Sequence, residues 1–181
     1  MEQQLCGIVR RKIIQSIKVA AELLAVWLDI VDGSLSGSYV CFLLNFVKFG
    51  STLYMKEIIS TSKAPAPIGP YNQATRAGGF LFISGQIALD PATGNLVEGG
   101  VEQEAEQVMK NLQHILQAAG ASFEQVVKTT IFLTTMDNFA RVNAVYGQYF
   151  NETTAPARET VAVVGLPRSV QVEISMVAYL Y

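Results

Sequence analysis

The stretch "SVQVEISMVA", Ser169 to Ala178, limits the available folds more than any other. Its alternating, β-branched pattern reads as a strand. Val170, Val172, Ile174 and Met176 share one side, and Gln171, Glu173, Ser175 and Val177 share the other. In "FLFISGQI", Phe80 and Phe82 likewise oppose Leu81 and Ile83. Strands with apolar residues on both sides need cover on both sides.

Helical spacing supplies that cover only twice after Met55. Val101, Ala105, Val108, Met109, Leu112, Ile115, Leu116 and Ala119 form one apolar stripe, and Gly120 is a natural stop. Asp137 is placed to cap a second helix running through Phe150, with Phe139, Val142, Tyr146, Tyr149 and Phe150 on one side. The remaining periodic runs read as strands: "KEIIST", Phe80 to Leu89, a partner entered by the turn in "DPATGNLV" with Gly94 at positive φ, "VVKTTIFLTT", Arg158 to Val164, and Val170 to Tyr179. Ala64 to Ala74, rich in Pro and Gly, reads as a loop. The order β-β-β-α-β-α-β-β predicts an α+β fold, a mixed sheet with two helices on one face. The short "GLPRS" link makes the last two strands antiparallel neighbours. The second sheet face is left bare, and a neighbouring subunit is its simplest cover.

The chain divides near Met55. Residues 1–54 contain both cysteines, Cys6 and Cys41, and the single tryptophan, Trp27. Their longest charge-free stretch, Gly33 to Val47, falls short of the ~20 apolar residues that span a bilayer. Neither a signal-peptide core nor a cleavage site is clear. The reading here is a helical or disordered appendage, or translation from a start upstream of Met55, in preference to a membrane element. Two cysteines make no disulfide framework or zinc pattern, so a reduced, cytoplasmic protein is the default. Residues 55–181 carry 11 acidic and 8 basic side chains, net −3, which argues against nucleic acid as a partner.

Two charges interrupt the apolar run "PARETVAVVGLPRSVQVEISMVA" in telling places. Arg158 opens one strand, and Glu173 sits inside the other. A carboxylate on a half-buried face is paired, hydrogen-bonded or functional. An arginine that takes a planar anion bidentately, near a glutamate able to handle a proton, suits a small carboxylate substrate. Other chemistries fare worse. His114, the only histidine, falls with Gln103, Gln107, Lys110 and Gln117 on the polar helix face, which removes His-based catalysis and metal binding. Glu102, Glu104 and Glu106 read as a solvated first helical turn. No Gly-rich phosphate loop lies between a strand and a helix.

From Met55 to Tyr181 the sequence resembles the RidA/YjgF/UK114 family of reactive-imine deaminases. The matching stretches are "IGPYNQA", "FISGQIALDPATG", "VVKTTIFLTTMDNFARVNAVYGQYF", "PAR" and "GLPRSVQVEISMVA", in family order. The resemblance implies a chorismate-mutase-like fold, a homotrimer with a central barrel, and active sites in clefts between subunits. It implies hydrolysis of 2-iminobutanoate and 2-iminopropanoate to 2-oxo acids and ammonia, which spares other enzymes from the enamines that pyridoxal-phosphate enzymes release. Arg158 resembles the residue that clamps the substrate carboxylate, and Glu173 the one that activates water. Tyr71 resembles a cleft-lining group at the subunit boundary. Ser84 and Gly85 would offer backbone groups, and Asn143 matches a side chain near the site. Thr160 stands where many members have cysteine. Glu159 replaces a small hydroxyl residue, and strand alternation should turn it from the cleft. The segment before "PAR", "NETTAPAR", lacks the aromatic residue that precedes the proline in other members, which bears on pocket width. No metal or organic cofactor is implied, because a protonated imine is already electrophilic. Other members are described as ribonucleases, translation inhibitors, chaperones or ligand-binding regulators, and a non-catalytic metabolite binder is the competing reading.

Overall fold

The computed structural model describes residues 56–180, so the readings made for residues 1–54 lie outside the described residues. Six strands form one sheet in the order β1-β2-β3-β6-β4-β5. They are β1 Glu57–Ile59, β2 Ala74–Ala77, β3 Phe80–Gln86, β4 Val126–Leu133, β5 Ala157–Ala162 and β6 Val172–Tyr179. Two helices interleave with them: α1 Val101–Ala118 and α2 Phe139–Tyr146. The architecture is mixed α+β, as the alternation of periods predicts.

Alternation decides the two sheet faces. Leu81, Ile83, Ile131, Leu133, Val172, Ile174 and Met176 point to the helix side and are buried. They pack with Val108, Met109, Leu112, Ile115 and Leu116 of α1 and Val142 of α2 in one core. Leu112 is fully enclosed, so Leu112→Ala would cost about 2–5 kcal/mol. On the other face Phe80 and Phe82 remain 44% and 48% exposed, and Phe80 packs its ring 5.1 Å from that of Tyr179. Among the described residues, then, no element covers the second face.

Several details differ from the sequence reading. The second opening strand is β2, which starts at the last residue of the stretch that reads as loop and runs on through residues given no element. Its two-residue connection to β3 is Gly78–Gly79, with Gly78 at φ 60°, and the Gly-Gly pair is a hairpin signal that the reading passed over. The turn at Gly94 returns only a single bridge, Leu89 to Leu96, because β3 ends at Gln86. Helix α2 is not capped by the Asp137 side chain. Thr135 Oγ1 accepts from the Asp137 amide, a 3-10 turn Met136–Asn138 follows, and the helix closes as a second 3-10 turn, Gly147–Tyr149, before Phe150.

The largest correction concerns β5 and β6. They are not neighbours. β6 inserts between β3 and β4, and β5 pairs parallel with the far side of β4. The link between them contains a 3-10 turn, Pro167–Ser169, with Arg168 and Ser169 at φ 55° and 60°. That link carries the chain past the end of β4, which a hairpin could not do.

The first turn of α1 is not simply solvated. Glu102 accepts two hydrogen bonds from Arg141 of α2, which hold its carboxyl below the usual range. Glu104 accepts from the Gln171 amide at 2.7 Å, fixing the entry to β6. His114 is tied down too: its Nδ1 lies 2.7 Å from the Lys63 carbonyl, which can only accept, so Nδ1 carries the proton. Among the described residues no helix is long and apolar enough to cross a membrane.

Candidate active site

Glu173 lies in the middle of β6, opposite Phe132 in the ladder with β4. Alternation turns it to the open face, away from Val172 and Ile174. There the β3–β6 register shifts between Ile83 and Gln86, so Ser84 and Gly85 bulge beside it. The carboxylate folds over Gly85. A Cβ on that residue would lie 1.9 Å from Glu173 Oε1 and 2.8 Å from Cδ, so only glycine leaves the room. A cleft of about 420 Å³ opens in front, walled by Ile68, Tyr71, Ile87, Leu89 and Pro167.

The walls are pinned from behind. The buried Gln73 side chain accepts from the Thr61 amide at 2.6 Å, and its Nε2, with two hydrogens to share, lies 2.8–3.0 Å from the carbonyls of Thr61, Ala64 and Pro65. Ser84 Oγ donates to Asn72 O at 2.6 Å, and the Ser84 amide donates to Gln73 O at 3.0 Å. Asn111 of α1, itself fully buried, donates to the carbonyls of Ile87 and Leu89. Loop 61–73 and the exit of β3 are thus anchored to core elements, as a binding cleft requires.

Among the described residues nothing hydrogen-bonds or ion-pairs with the Glu173 carboxylate, and partial burial pushes it above the usual carboxylate range. A half-buried, unsatisfied carboxylate facing a cleft is equipped to take a proton from a bound water.

Arg158 stands elsewhere. Its ladder partner on β4 is the buried Thr129, so it projects to the helix side, under α2. Nη1 donates to Asn143 Oδ1 at 2.8 Å, and the guanidinium carbon lies 4.9 Å from the centre of the Tyr146 ring and 5.8 Å from that of Phe139. Thr160, two residues along, lines the same crevice and has a buried hydroxyl without a hydrogen-bond partner among the described residues. Glu159, between them, turns to the open face and pairs with Lys128 and Thr130, which hold its carboxyl low. It stays out of the crevice, as alternation predicts, and is not among the residues lining the Glu173 cleft.

The residues singled out in the sequence therefore fall into two groups. Tyr71, Ser84, Gly85 and Glu173 meet in the cleft, while Arg158, Asn143 and Thr160 meet in the crevice. Within one chain the groups do not meet. The sequence reading missed the Gln73 anchor and the aromatic pair under Arg158. The spacing Phe139, Asn143, Tyr146 (i, i+4, i+7) is the signal that points to the latter. Among the described residues no three His, Cys, Asp or Glu side chains gather as a metal site.

Residues 61–180 match the family model described as Endoribonuclease L-PSP. A RutC family protein of Synechocystis is 60% identical over 125 residues, 68% of this chain and 96% of that protein. The mouse 2-iminobutanoate/2-iminopropanoate deaminase is 50% identical over 124 residues, 68% of this chain and 91% of the enzyme. Among solved structures, Escherichia coli TdcF with bound serine superposes with a TM-score of 0.65 at 40% identity, covering 70% of this chain and all of that one. A Rid family protein from Yersinia pestis gives 0.68 at 45% identity, with the same coverage. The chain belongs to the endoribonuclease L-PSP family, the RidA/YjgF/UK114 group that its motifs resemble.

Proposed function

We propose that residues 55–181 hydrolyse small 2-imino acids such as 2-iminobutanoate and 2-iminopropanoate to 2-oxo acids and ammonia. The observation that carries this reading is Glu173, a half-buried carboxylate with no partner among the described residues, at the mouth of an apolar cleft. The deaminase name of mammalian relatives near 50% identity supports the choice of substrate.

The site is completed between copies. Among the described residues no cation lines the Glu173 cleft and no acid lines the Arg158 crevice. A homotrimer that buries Phe80, Phe82, Val161 and Tyr179 brings Arg158 of one copy to the cleft of the next. Arg158 then holds the substrate carboxylate and fixes the imine carbon in place. Glu173 accepts a proton from water as its oxygen adds to that carbon, giving a carbinolamine. Glu173 passes that proton to the nitrogen, then takes the hydroxyl proton as the C=O forms and the C–N bond breaks, and ammonia and the 2-oxo acid leave. Hydrolysis of the imine, which is in equilibrium with its enamine, would spare other enzymes from that reactive species.

Ammonia release from 2-iminobutanoate, generated in place by an amino acid oxidase, tests the reading. Acceleration over the uncatalysed rate supports it, and none at micromolar protein would sink it. The second reading is binding without turnover, favoured by the serine held in the Escherichia coli relative. Saturable binding of a 2-oxo acid with no ammonia release would select it.

A further inference from the structure

We propose that Phe139, Asn143 and Tyr146 form a charge-preserving seat for Arg158, and that Phe139 and Tyr146 are positioning residues of the reaction. The inference rests on the reading of Arg158 as the carboxylate clamp and concerns how that clamp is kept ready.

An unpartnered arginine on an edge strand would sample many rotamers, and ordering it on binding would weaken the ligand's grip. The structure orders it beforehand. The three seat residues lie along one stripe of α2, all facing β5. Two contribute ring faces, at 5.8 Å and 4.9 Å from the guanidinium carbon, and the third contributes an amide oxygen at 2.8 Å. Both ring positions lie within the ~6 Å of cation–π attraction.

The more important ring is held rigidly. Tyr146 is 5% exposed, its ring centre lies 4.6 Å from that of Phe150, and its hydroxyl donates to Thr129 Oγ1 at 3.2 Å. Thr129 is also the ladder partner of Arg158 on β4. Backbone and guanidinium of Arg158 are thus referenced to the same buried residue, one through the sheet and one through the tyrosine. The ring, held chiefly by its packing on Phe150, fixes where the fork points, and the hydroxyl bond is a secondary tie.

Every member of the seat is neutral. Among the described residues no Asp or Glu forms an ion pair with Arg158, whereas Arg76 and Arg141 each face a glutamate. A carboxylate in the seat would hold the arginine more tightly and cancel the charge that an incoming anion needs. Two π faces and one amide oxygen orient the fork and leave the charge unspent. Glu159, the nearest acid in sequence, is directed to the opposite face and taken up by Lys128 and Thr130.

The test uses the full chain and isothermal titration with 2-oxobutanoate and its neutral methyl ester, beside imine turnover. Asn143→Asp keeps the hydrogen bond but adds a charge. It should weaken 2-oxobutanoate binding about tenfold or more, leave the ester within about threefold, and raise KM more than it lowers kcat. Tyr146→Leu and Phe139→Leu should weaken the acid several-fold, and Tyr146→Phe, which keeps the ring, should recover most of the loss. Phe139 is partly exposed, so its variant stays informative if Tyr146→Leu does not fold. Equal binding of the acid by wild type and Asn143→Asp, or Tyr146→Phe as poor as Tyr146→Leu, overturns the seat while leaving the clamp intact. A wild type that neither binds the acid nor turns over imine overturns the clamp and the seat together.

Discussion

Arg158 and Glu173 project from opposite faces of one sheet. Their ladder partners on β4, Thr129 and Phe132, are three residues apart, and an odd separation along a strand reverses the face. Arg158 ends among Asn143, Phe139 and Tyr146, and Glu173 ends over Gly85. A single copy holds the two groups apart, and in the proposed cyclic assembly unlike halves would meet.

Arg158→Ala should abolish imine hydrolysis and leave the fold intact, since the guanidinium is exposed and bonded only to Asn143 among the described residues. Removing a charged partner of a bound carboxylate costs ~2–5 kcal/mol of interaction, and turnover efficiency should fall accordingly. Arg158→Lys should also be poor, because an ammonium cannot reproduce the planar fork. Steady-state kinetics on a variant with an unchanged circular dichroism spectrum checks both.

Glu173→Gln should lower kcat by roughly 10²–10⁴-fold while 2-oxo acid binding persists, because only the proton acceptor is lost. It should also raise the melting temperature at neutral pH. The folded pKa lies above the ordinary 4.5, so the folded chain binds the proton more tightly than the unfolded chain does. The Glu173 contribution to stability is then most favourable below pH 4.5 and declines as pH rises through the folded value. The melting difference between wild type and variant should therefore shrink on acidification. A variant that melts lower than wild type at pH 7 would mean that the carboxylate is paired in the assembled protein.

Gly85→Ala should reduce turnover by about tenfold or more without unfolding the protein. The new methyl meets the far end of the Glu173 side chain, which can swing away but only by leaving its place over the bulge. In a Glu173→Gln background the same change should cost little further, since the two share one effect. Additive losses in the double variant would show that Gly85 acts through something other than Glu173.

Most of the fold is legible in the sequence because binary patterning is strong: the stripe from Val101 to Leu116 and the alternation from Val172 to Val177 leave little choice. What sequence could not give is strand order. Nothing local in "GLPRS" says that β6 passes β4, since that choice is made by long-range packing against β3. The same gap hid the division of the site, because which face Arg158 and Glu173 take relative to one another depends on that crossing. Gly85 could be picked out as a site residue, but its reason, the carboxylate lying over it, exists only after β3 and β6 pair.

Protein beginning at Met55 should assemble and turn over imine as fast as the full chain. Every residue placed in either half-site lies beyond that point, and the family match spans 61–180. Light scattering and ammonia release on the shortened chain decide this, and loss of either would assign the preceding residues a part in assembly.

The claim that the site forms between copies is tested most directly by mixing two dead proteins. Arg158→Ala retains the Glu173 cleft, and Glu173→Gln retains the Arg158 crevice. Unfolded together in equal amounts and refolded, they should assemble at random, and about a quarter of the clefts in a cyclic trimer should pair two intact halves. Ammonia release from 2-iminobutanoate should then return to about a quarter of the wild-type rate, while either variant refolded alone stays inactive. Mixed assemblies, shown by mass spectrometry to contain both chains, that remain as inactive as the separate variants would contradict the account.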